Sequence, residues 1–480
     1  MTLTLSKQLQ ALICAVIAIA FFLINPFGVK PEAAKVIALA MLMITLWVTE
    51  ALPMPVTALL PLIFFPLLGV SSMDNTVASY ANPVIYLFLG GFLIALAIEK
   101  CNLHQRIALN IVKFAGTSGN RIILGFIIAT GLISTWLSNT ATTMMMLPIA
   151  VSVIDVMKKG TGETNNEKGM ANFSLCLMLS IALASNLAIG TIIGTPPNVA
   201  YAAYIKKHLG QEVSFVKWMY LCMPLSILLM FILYWVMVKW LYPNNIKKNK
   251  ATDDLIHEKV NRLGKISVAE KRVLIIFICT ATLWITKDLI NQLNWIKLDD
   301  TIIALLGGLS FFFLRTGGKK DEPLLLWEDT RKLAWGILLL FGGGIALADA
   351  LEKAGLIQQV GTWLLPLAYS QLVLIFLVTF VSLFLSEVMS NVAQVIVFAP
   401  VVTGLAEAAG MHPFMLGIPM TLAASCASML PMGTPPNAIA FSSGYIRLKD
   451  MTRVGFVMNI ISVILITLFC WLLLPLVIKM

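Results

Sequence analysis

The chain has 480 residues, of which 59% are hydrophobic and 12% charged, with a net charge of +10 and a mean hydropathy of +0.89. Soluble domains carry roughly 25% charged residues, so this composition excludes an ordinary soluble protein. The positive balance reads as a bias of loop Lys and Arg toward one side of a membrane, not as a nucleic-acid surface. Apolar runs recur from end to end, each long enough to cross a bilayer as a helix. A barrel would show short alternating segments instead, so the fold class is an all-α integral membrane protein.

The first run, Leu9 to Phe27, has a weak n-region and no small-residue cleavage site; it reads as a retained span, not a signal peptide. Eleven spans are expected, near 9–28, 34–51, 54–70, 83–99, 172–193, 214–242, 273–290, 299–314, 333–351, 413–432 and 454–477. Two further apolar regions, 122–156 and 368–408, are too long for one span, and each is interrupted by a Ser-Asn pair. They read as re-entrant helical hairpins. The polar segment 243–272 carries charges of both signs and reads as a cytoplasmic linker with a short surface helix, the alternative being a partner or lipid site. With a cytoplasmic N-terminus, eleven spans and two hairpins put the C-terminus outside. That orientation leaves 25 of the 34 Lys and Arg on the inner side, as the positive-inside rule expects.

The two halves repeat. "LFLGGFLIALAIEKCNL" (87–103) matches "LFGGGIALADALEKAGL" (340–356), pairing Phe88 with Phe341, Gly90 with Gly343, Gly91 with Gly344, Ala95 with Ala348, Glu99 with Glu352 and Lys100 with Lys353. Next, Ser134-x3-Ser138-Asn139 matches Ser386-x3-Ser390-Asn391, with Ala141/Ala393 and Pro148/Pro400 in step. Finally "GTPPN" at 194–198 recurs at 433–437. The counted topology makes the copies inverted, an arrangement typical of secondary transporters, whose site lies near the midplane at the repeat interface.

Unwound backbone survives at that depth only when buried in protein or lining a wet cavity. Ser and Asn can cap the broken ends, carbonyls before each knot can face a cation, and the helix after it aims its positive dipole end at the gap. In GTPPN, two prolines remove two donors and stop the incoming helix, Gly allows the bend, and Asn can cap the next helix. No Lys or Arg lies within the knots or breaks. An anion there is held by neutral dipoles and balanced by co-bound cations, for which sodium suits better than a transition metal.

Other features weigh less. Seven scattered Cys and four His (His104, His208, His257, His412) form no metal pattern, and the Cys read as small core residues. Glu387, inside the second hairpin, reads as an orienting hydrogen-bond partner, with proton coupling as the alternative. Glu99-Lys100 and Glu352-Lys353 read as interfacial anchors, and the Gly pairs as close helix contacts. HExxH and converging carboxylate pairs are absent, which argues against an enzyme; a channel is the other class considered.

These motifs resemble the divalent anion/sodium symporter family, whose members carry dicarboxylates, citrate or sulfate. The resemblance covers essentially the whole chain. It implies a homodimer in the cell membrane, with a scaffold domain and an elevator-like transport domain, and sodium ions as co-transported cargo. Scaffold spans would be 1–82, 273–332 and the terminal span 451–480, flanking the linker 243–272. The first repeat would be 83–242, with hairpin 122–156 and broken helix 172–206; the second would be 333–450, with hairpin 368–408 and broken helix 413–447. The first sodium site would use Ser134, Ser138, Asn139 and Gly194, and the second Ser386, Met389, Asn391 and Gly433. Substrate carboxylates would meet Ser138, Asn139, Thr140, Ser390 and Asn391, with Thr195, Thr434 and Pro435 close by. Val392 stands where the family pattern has Thr, so a hydroxyl is missing that Thr434 or backbone N–H groups would supply. Sodium-coupled symport of C4 dicarboxylates (succinate, malate, fumarate) is the expected activity, with sodium-independent exchange or another divalent anion as the alternative.

Overall fold

The computed structural model describes residues 6–26, 28–160, 167–211, 213–248, 250–293, 296–317, 321–357, 359 and 370–479. Among these residues the chain is helical with no named strand, and nine helices are long and apolar enough to span a bilayer. The helices are α1 (Lys7–Ile24), α2 (Pro31–Thr49), α3 (Met54–Thr57), α4 (Leu60–Leu67), α5 (Met73–Tyr80), α6 (Pro83–Lys100) and α7 (Leu103–Ala115). Then come α8 (Gly119–Ser134), α9 (Asn139–Gly160), α10 (Glu167–Asn186), α11 (Pro196–His208), α12 (Phe215–Trp235), α13 (Lys250–Arg262), α14 (Val268–Gln292) and α15 (Asp300–Phe313). The rest are α16 (Trp335–Lys353), α17 (Gln371–Leu385), α18 (Asn391–Ala408), α19 (Phe414–Ser425), α20 (Pro435–Ser442) and α21 (Leu448–Lys479).

Local chemistry starts many of them. Ser6 accepts from Leu9 N–H at the head of α1, Asn82 from Val84 N–H before Pro83 of α6, and Asp299 from Ile302 N–H before α15. Ser267 and Glu270 form a reciprocal capping box on α14. Burial opposes ionisation of Glu270, but Arg106 and Ser267 hold its carboxyl below the usual range. The Arg106 guanidinium meets that carboxylate at 2.8 Å and the carbonyl of Gly264 at 2.9 Å, which fastens α7 to the start of α14.

Four expectations need correction. The run 54–70 is not one helix: α3 and α4 are separated at Ala58–Leu59. The Ala58 backbone is the seat of Gly343 on α16, and Tyr80 Oη donates to Ala58 O at 2.5 Å, so the bend is built by close approach. The linker helix α13 is not a free surface helix. Thr252 and Ile256 are buried beneath α7 and α9, and Lys259 Nζ donates to Ser152 Oγ at 3.2 Å. Two of the paired end-of-span charges also have partners within the chain: Lys100 Nζ pairs with Asp329 at 2.6 Å, and Glu352 bonds the His208 ring. Residues 368–369 of the second hairpin and residue 27 of the first span lie outside the described residues; the hairpins observed are α8–α9 and α17–α18.

The fourth correction concerns the broken helices. The helices expected over 172–193 and 413–432 end at Asn186 and Ser425, several residues before GTPPN. The prolines occupy the first two positions of α11 and α20, where a missing N–H costs nothing. They start the outgoing helix and do not stop the incoming one. Thr434, not Asn437, caps α20, accepting from Asn437 N–H.

Both glycine pairs make the close contacts their spacing suggests. A Cβ on Gly90 would stand 2.5 Å from the Ala304 carbonyl carbon of α15, and one on Gly308 2.9 Å from Gly90 O. A Cβ on Gly343 would overlap Ala58. At the far end of α16, Lys207 and His208 of α11 bond Asp349 and Glu352, and Ser79 of α5 joins Asp349 at 3.1 Å.

Gly343→Val should therefore force α16 off the α3–α4 bend. Overpacking of this kind costs about 1–3 kcal/mol. A lowered melting temperature in detergent is expected; an unchanged one contradicts the seat.

Candidate functional site

Each hairpin ends its first helix in one last turn, and the second helix restarts a few residues on. In the first, the carbonyl of Ile133 accepts from both Trp136 and Leu137 N–H, and α9 restarts at Asn139, with Ser138 Oγ accepting from Ala141 N–H at 3.3 Å. In the second, the carbonyl of Leu385 accepts from Val388 and Met389 N–H before α18 restarts at Asn391. Trp136 seats the first tip among Phe277, Phe215 and Trp284, with ring centroids 4.9–6.5 Å away.

A cavity of about 640 Å³ lies between the two tips and the two breaks. Of the residues expected at the site, Ser138, Asn139, Thr140, Gly194, Thr195, Met389, Ser390, Asn391, Val392, Gly433, Thr434 and Pro435 line it. Ser134 and Ser386 do not. They are fully buried one turn behind the tips, where Ser134 Oγ donates to Asn139 Oδ1 at 2.7 Å and Ser386 bonds Gln394 and the Ala424 carbonyl. The remaining wall is largely apolar: Phe88, Phe92 and Ala95 of α6, and Ile337 and Leu340 of α16. The cavity reaches Glu50 and Ala334, at the adjacent ends of α2 and α16.

The electrostatics are unusual for an anion site. Among the lining residues there is no Lys, Arg or His, and Glu50 is the charged one. Positive potential comes instead from helix ends. Helices α9, α18, α11 and α20 all begin at cavity-lining residues. A free helix N-terminus is equivalent to roughly +0.5 charge; α11 and α20 open on two prolines without N–H groups and their next N–H is already bonded, so α9 and α18 carry most of the positive potential. The ends of α8, α17, α10 and α19 bring backbone carbonyls to the same junction, several of them already bonded: Ile133 O and Leu385 O within the tips, Thr135 O by Thr191 and Ala424 O by Ser386. Asn391 Oδ1 is buried with no hydrogen-bond partner among the described residues, a cost that a bound cation would remove.

The breaks are held by the two GTPPN asparagines and by two residues outside the motif, Asn186 and Ser425. Asn198 Nδ2 donates to Thr191 O at 2.9 Å, and at the same repeat position Asn437 Nδ2 donates to Leu430 O at 3.1 Å. Each Asn thus ties the unwound segment back onto the helix that follows it. Across the halves, Asn186 Nδ2 reaches Thr434 Oγ1 at 3.1 Å and Asn437 Oδ1 at 3.0 Å, while Thr195 Oγ1 bonds Ser425 Oγ at 3.1 Å. Asn186 and Ser425 precede their GTPPN by the same number of residues. That shared offset was the available signal; neither residue type announces it.

Glu387 is held by four donors. Its carboxylate accepts from the N–H groups of Ser428, Met429 and Leu430 at 2.7, 2.9 and 3.0 Å, and from Asn459 Nδ2 at 2.7 Å. It anchors the second break to the second hairpin and to α21.

Two hairpins and two broken helices meeting at one cavity are the architecture of a multi-pass membrane transporter. The chain belongs to the sodium:sulfate symporter family, whose transmembrane region matches residues 5–478. It is 39% identical over 461 residues to the sodium-dependent dicarboxylate transporter SdcS of Staphylococcus saprophyticus, covering 94% of this chain and 88% of that protein. It is 37% identical over 464 residues to SdcS of Staphylococcus aureus strain NCTC 8325, with the same coverage. In fold it is similar to the YdaH transporter of Alcanivorax borkumensis (TM-score 0.57, 12% identity, 83% of this chain and 87% of that one). It is also similar in fold to MtrF of Neisseria gonorrhoeae (TM-score 0.53, 13% identity, 83% of each chain).

Asn437→Leu removes donors to Leu430 and Ala427 and one of the three acceptors of the Asn186 amide. The expected loss is about 1–3 kcal/mol, read as a lower melting temperature in detergent; wild-type melting contradicts this brace.

Proposed function

We propose that the chain is a sodium-coupled symporter of C4 dicarboxylates such as succinate, malate and fumarate, and not an enzyme. One observation carries the reading: the cavity offers a dianion helix N-termini and polar side chains but no cationic side chain. Partial dipoles can receive a dianion only if the carbonyls at the same junction are neutralised too. Small hard cations do that, and oxygen ligands suit them. The names of the SdcS relatives support a dicarboxylate as substrate and sodium as the ion.

In this reading the first sodium lies among Ser134, Ser138, Asn139 and Gly194, with Ser134 acting through its bond to Asn139. The second lies among Ser386, Met389, Asn391 and Gly433. The substrate carboxylates meet Ser138, Asn139 and Thr140 on one side and Ser390 and Asn391 on the other. Val392 presents methyl groups where Thr140 presents a hydroxyl, with Thr434 and Pro435 beside it. The two hairpins and broken helices (α8–α11 and α17–α20) move as one body against a frame of α1–α6 and α14–α16. The ion pairs joining Lys207 and His208 to Asp349 and Glu352 part and re-form in that elevator cycle. The working unit is a homodimer in the cell membrane, with the N-terminus cytoplasmic, the C-terminus outside and the repeats inverted.

Succinate uptake into empty proteoliposomes tests this. Replacing the sodium gradient by potassium or choline should abolish concentrative uptake; undiminished uptake would favour proton coupling, and uptake only against internal dicarboxylate would favour exchange. Asn139→Ala and Asn391→Ala should each lower succinate transport about tenfold or more, since one lost contact is worth roughly 1–3 kcal/mol. Near-normal rates in both variants would move the site elsewhere.

A further inference from the structure

Each hairpin is tied to its own broken helix just behind the tip, and the two ties use different chemistry. In the first half, the Thr191 hydroxyl donates to Thr135 O at 2.6 Å. In the second, the Glu387 carboxylate gathers the N–H groups of residues 428–430. The repeat aligns Thr135 with Glu387 and Thr191 with Leu430. The side-chain oxygen of the joint therefore comes from the break in one half and from the hairpin in the other.

The same exchange appears around the two motif glycines. A Cβ on Gly194 would stand 2.5 Å from Ala188 O, 3.1 Å from Thr191 Oγ1 and 3.2 Å from Thr135 O. A Cβ on Gly433 would stand 3.2 Å from Glu387 Oε2, 3.4 Å from Leu430 O and 3.5 Å from Glu387 O. Each glycine sits in a nest of three oxygens, two carbonyl and one side-chain. In the first nest that side-chain oxygen is neutral. In the second it belongs to a carboxylate.

Every partner of the Glu387 carboxylate is a donor. Its Oε1 takes three of them and Oε2 takes Leu430 N–H, so the group serves as acceptor throughout and brings a negative charge to the joint. It is 3% exposed, and water does little to screen it there.

Resting on the sodium-coupled reading above, we propose that Glu387 is the positioning residue of the second cation site. Its charge makes that site hold sodium more tightly than its neutral counterpart around Gly194. It acts through two routes. Its grip on residues 428–430 fixes the Leu430 carbonyl beside Gly433, and its charge adds to the field of the carbonyls there. The two halves are thus similar in shape and unequal in ion affinity. The second site loads first, and its ion offsets a negative field that would otherwise oppose entry of the dianion.

The experiment is the sodium dependence of succinate uptake in proteoliposomes, paired with succinate KM at saturating sodium. Glu387→Gln should raise the sodium half-saturation about tenfold or more, with succinate KM changed no more than about threefold. Glu387→Asp keeps the charge on a shorter arm and should stay closer to wild type in sodium dependence than the Gln variant. Because every partner is a donor, Gln also loses an acceptor, so the split between the two readouts decides: a hydrogen-bonding and packing role would move sodium half-saturation and succinate KM together, and parallel changes overturn the proposal. A double variant, Glu387→Thr with Leu430→Thr, rebuilds the second joint as a copy of the first. It should assemble, transport succinate and show the raised sodium half-saturation even if Glu387→Gln alone does not fold. A double variant with wild-type sodium dependence, or one that does not assemble, overturns the proposal. Wild-type uptake indifferent to sodium would instead defeat the coupled reading itself, before any variant is compared.

Discussion

A broken helix inside a membrane must find partners for its own backbone. No water is available to satisfy stray N–H and C=O groups at that depth, so each of the four breaks here is possible only because other parts of the chain supply what the helix no longer does. Asn198 and Asn437 fold back onto carbonyls of their own unwound segments. Asn186 and Ser425 brace the opposite half. Glu387 and Thr191 hold each break to its hairpin. Asn391 Oδ1, left without a partner among the described residues, belongs to the cavity between the breaks.

The site's chemistry follows from how it is made. Helix ends supply partial charges of both signs within one small volume, and among the described lining residues no Lys, Arg or His offsets the load. A fixed Arg would hold a dianion without help from sodium and would keep holding it when the ion left. Neutral dipoles cannot do that, so ion and substrate depend on each other for charge balance. This mutual dependence is what coupling requires, because neither cargo alone produces a balanced site.

Much of this was legible in the sequence, for a physical reason. Re-entrant tips and Pro-started helices need particular residue types, and the repeat printed each need twice. The Ser-Asn tips and GTPPN breaks therefore pointed to the residues that line the cavity. What was not legible depends on contacts between distant parts of the chain. The helices end at Asn186 and Ser425 because those side chains serve partners 230 or more residues away, which no local pattern encodes. The bend at Ala58 comes from the approach of Gly343, and α13 has one face, at Thr252 and Ile256, packed against α7 and α9. Glu387 had an orienting bond as its expected role, but its four donors were invisible until the break at 428–430 was seen to fold over it.

If charge balance is the central constraint, binding should display it without any transport at all. Calorimetric titration of succinate into the purified protein, once in sodium and once in choline at equal ionic strength, measures it directly. The account predicts clear binding in sodium and a dissociation constant weaker by about a hundredfold or more in choline, corresponding to roughly 2.7 kcal/mol or more of coupling. Equal affinities in the two solutions would contradict it, because the cavity would then be holding a dianion with no cation to balance it.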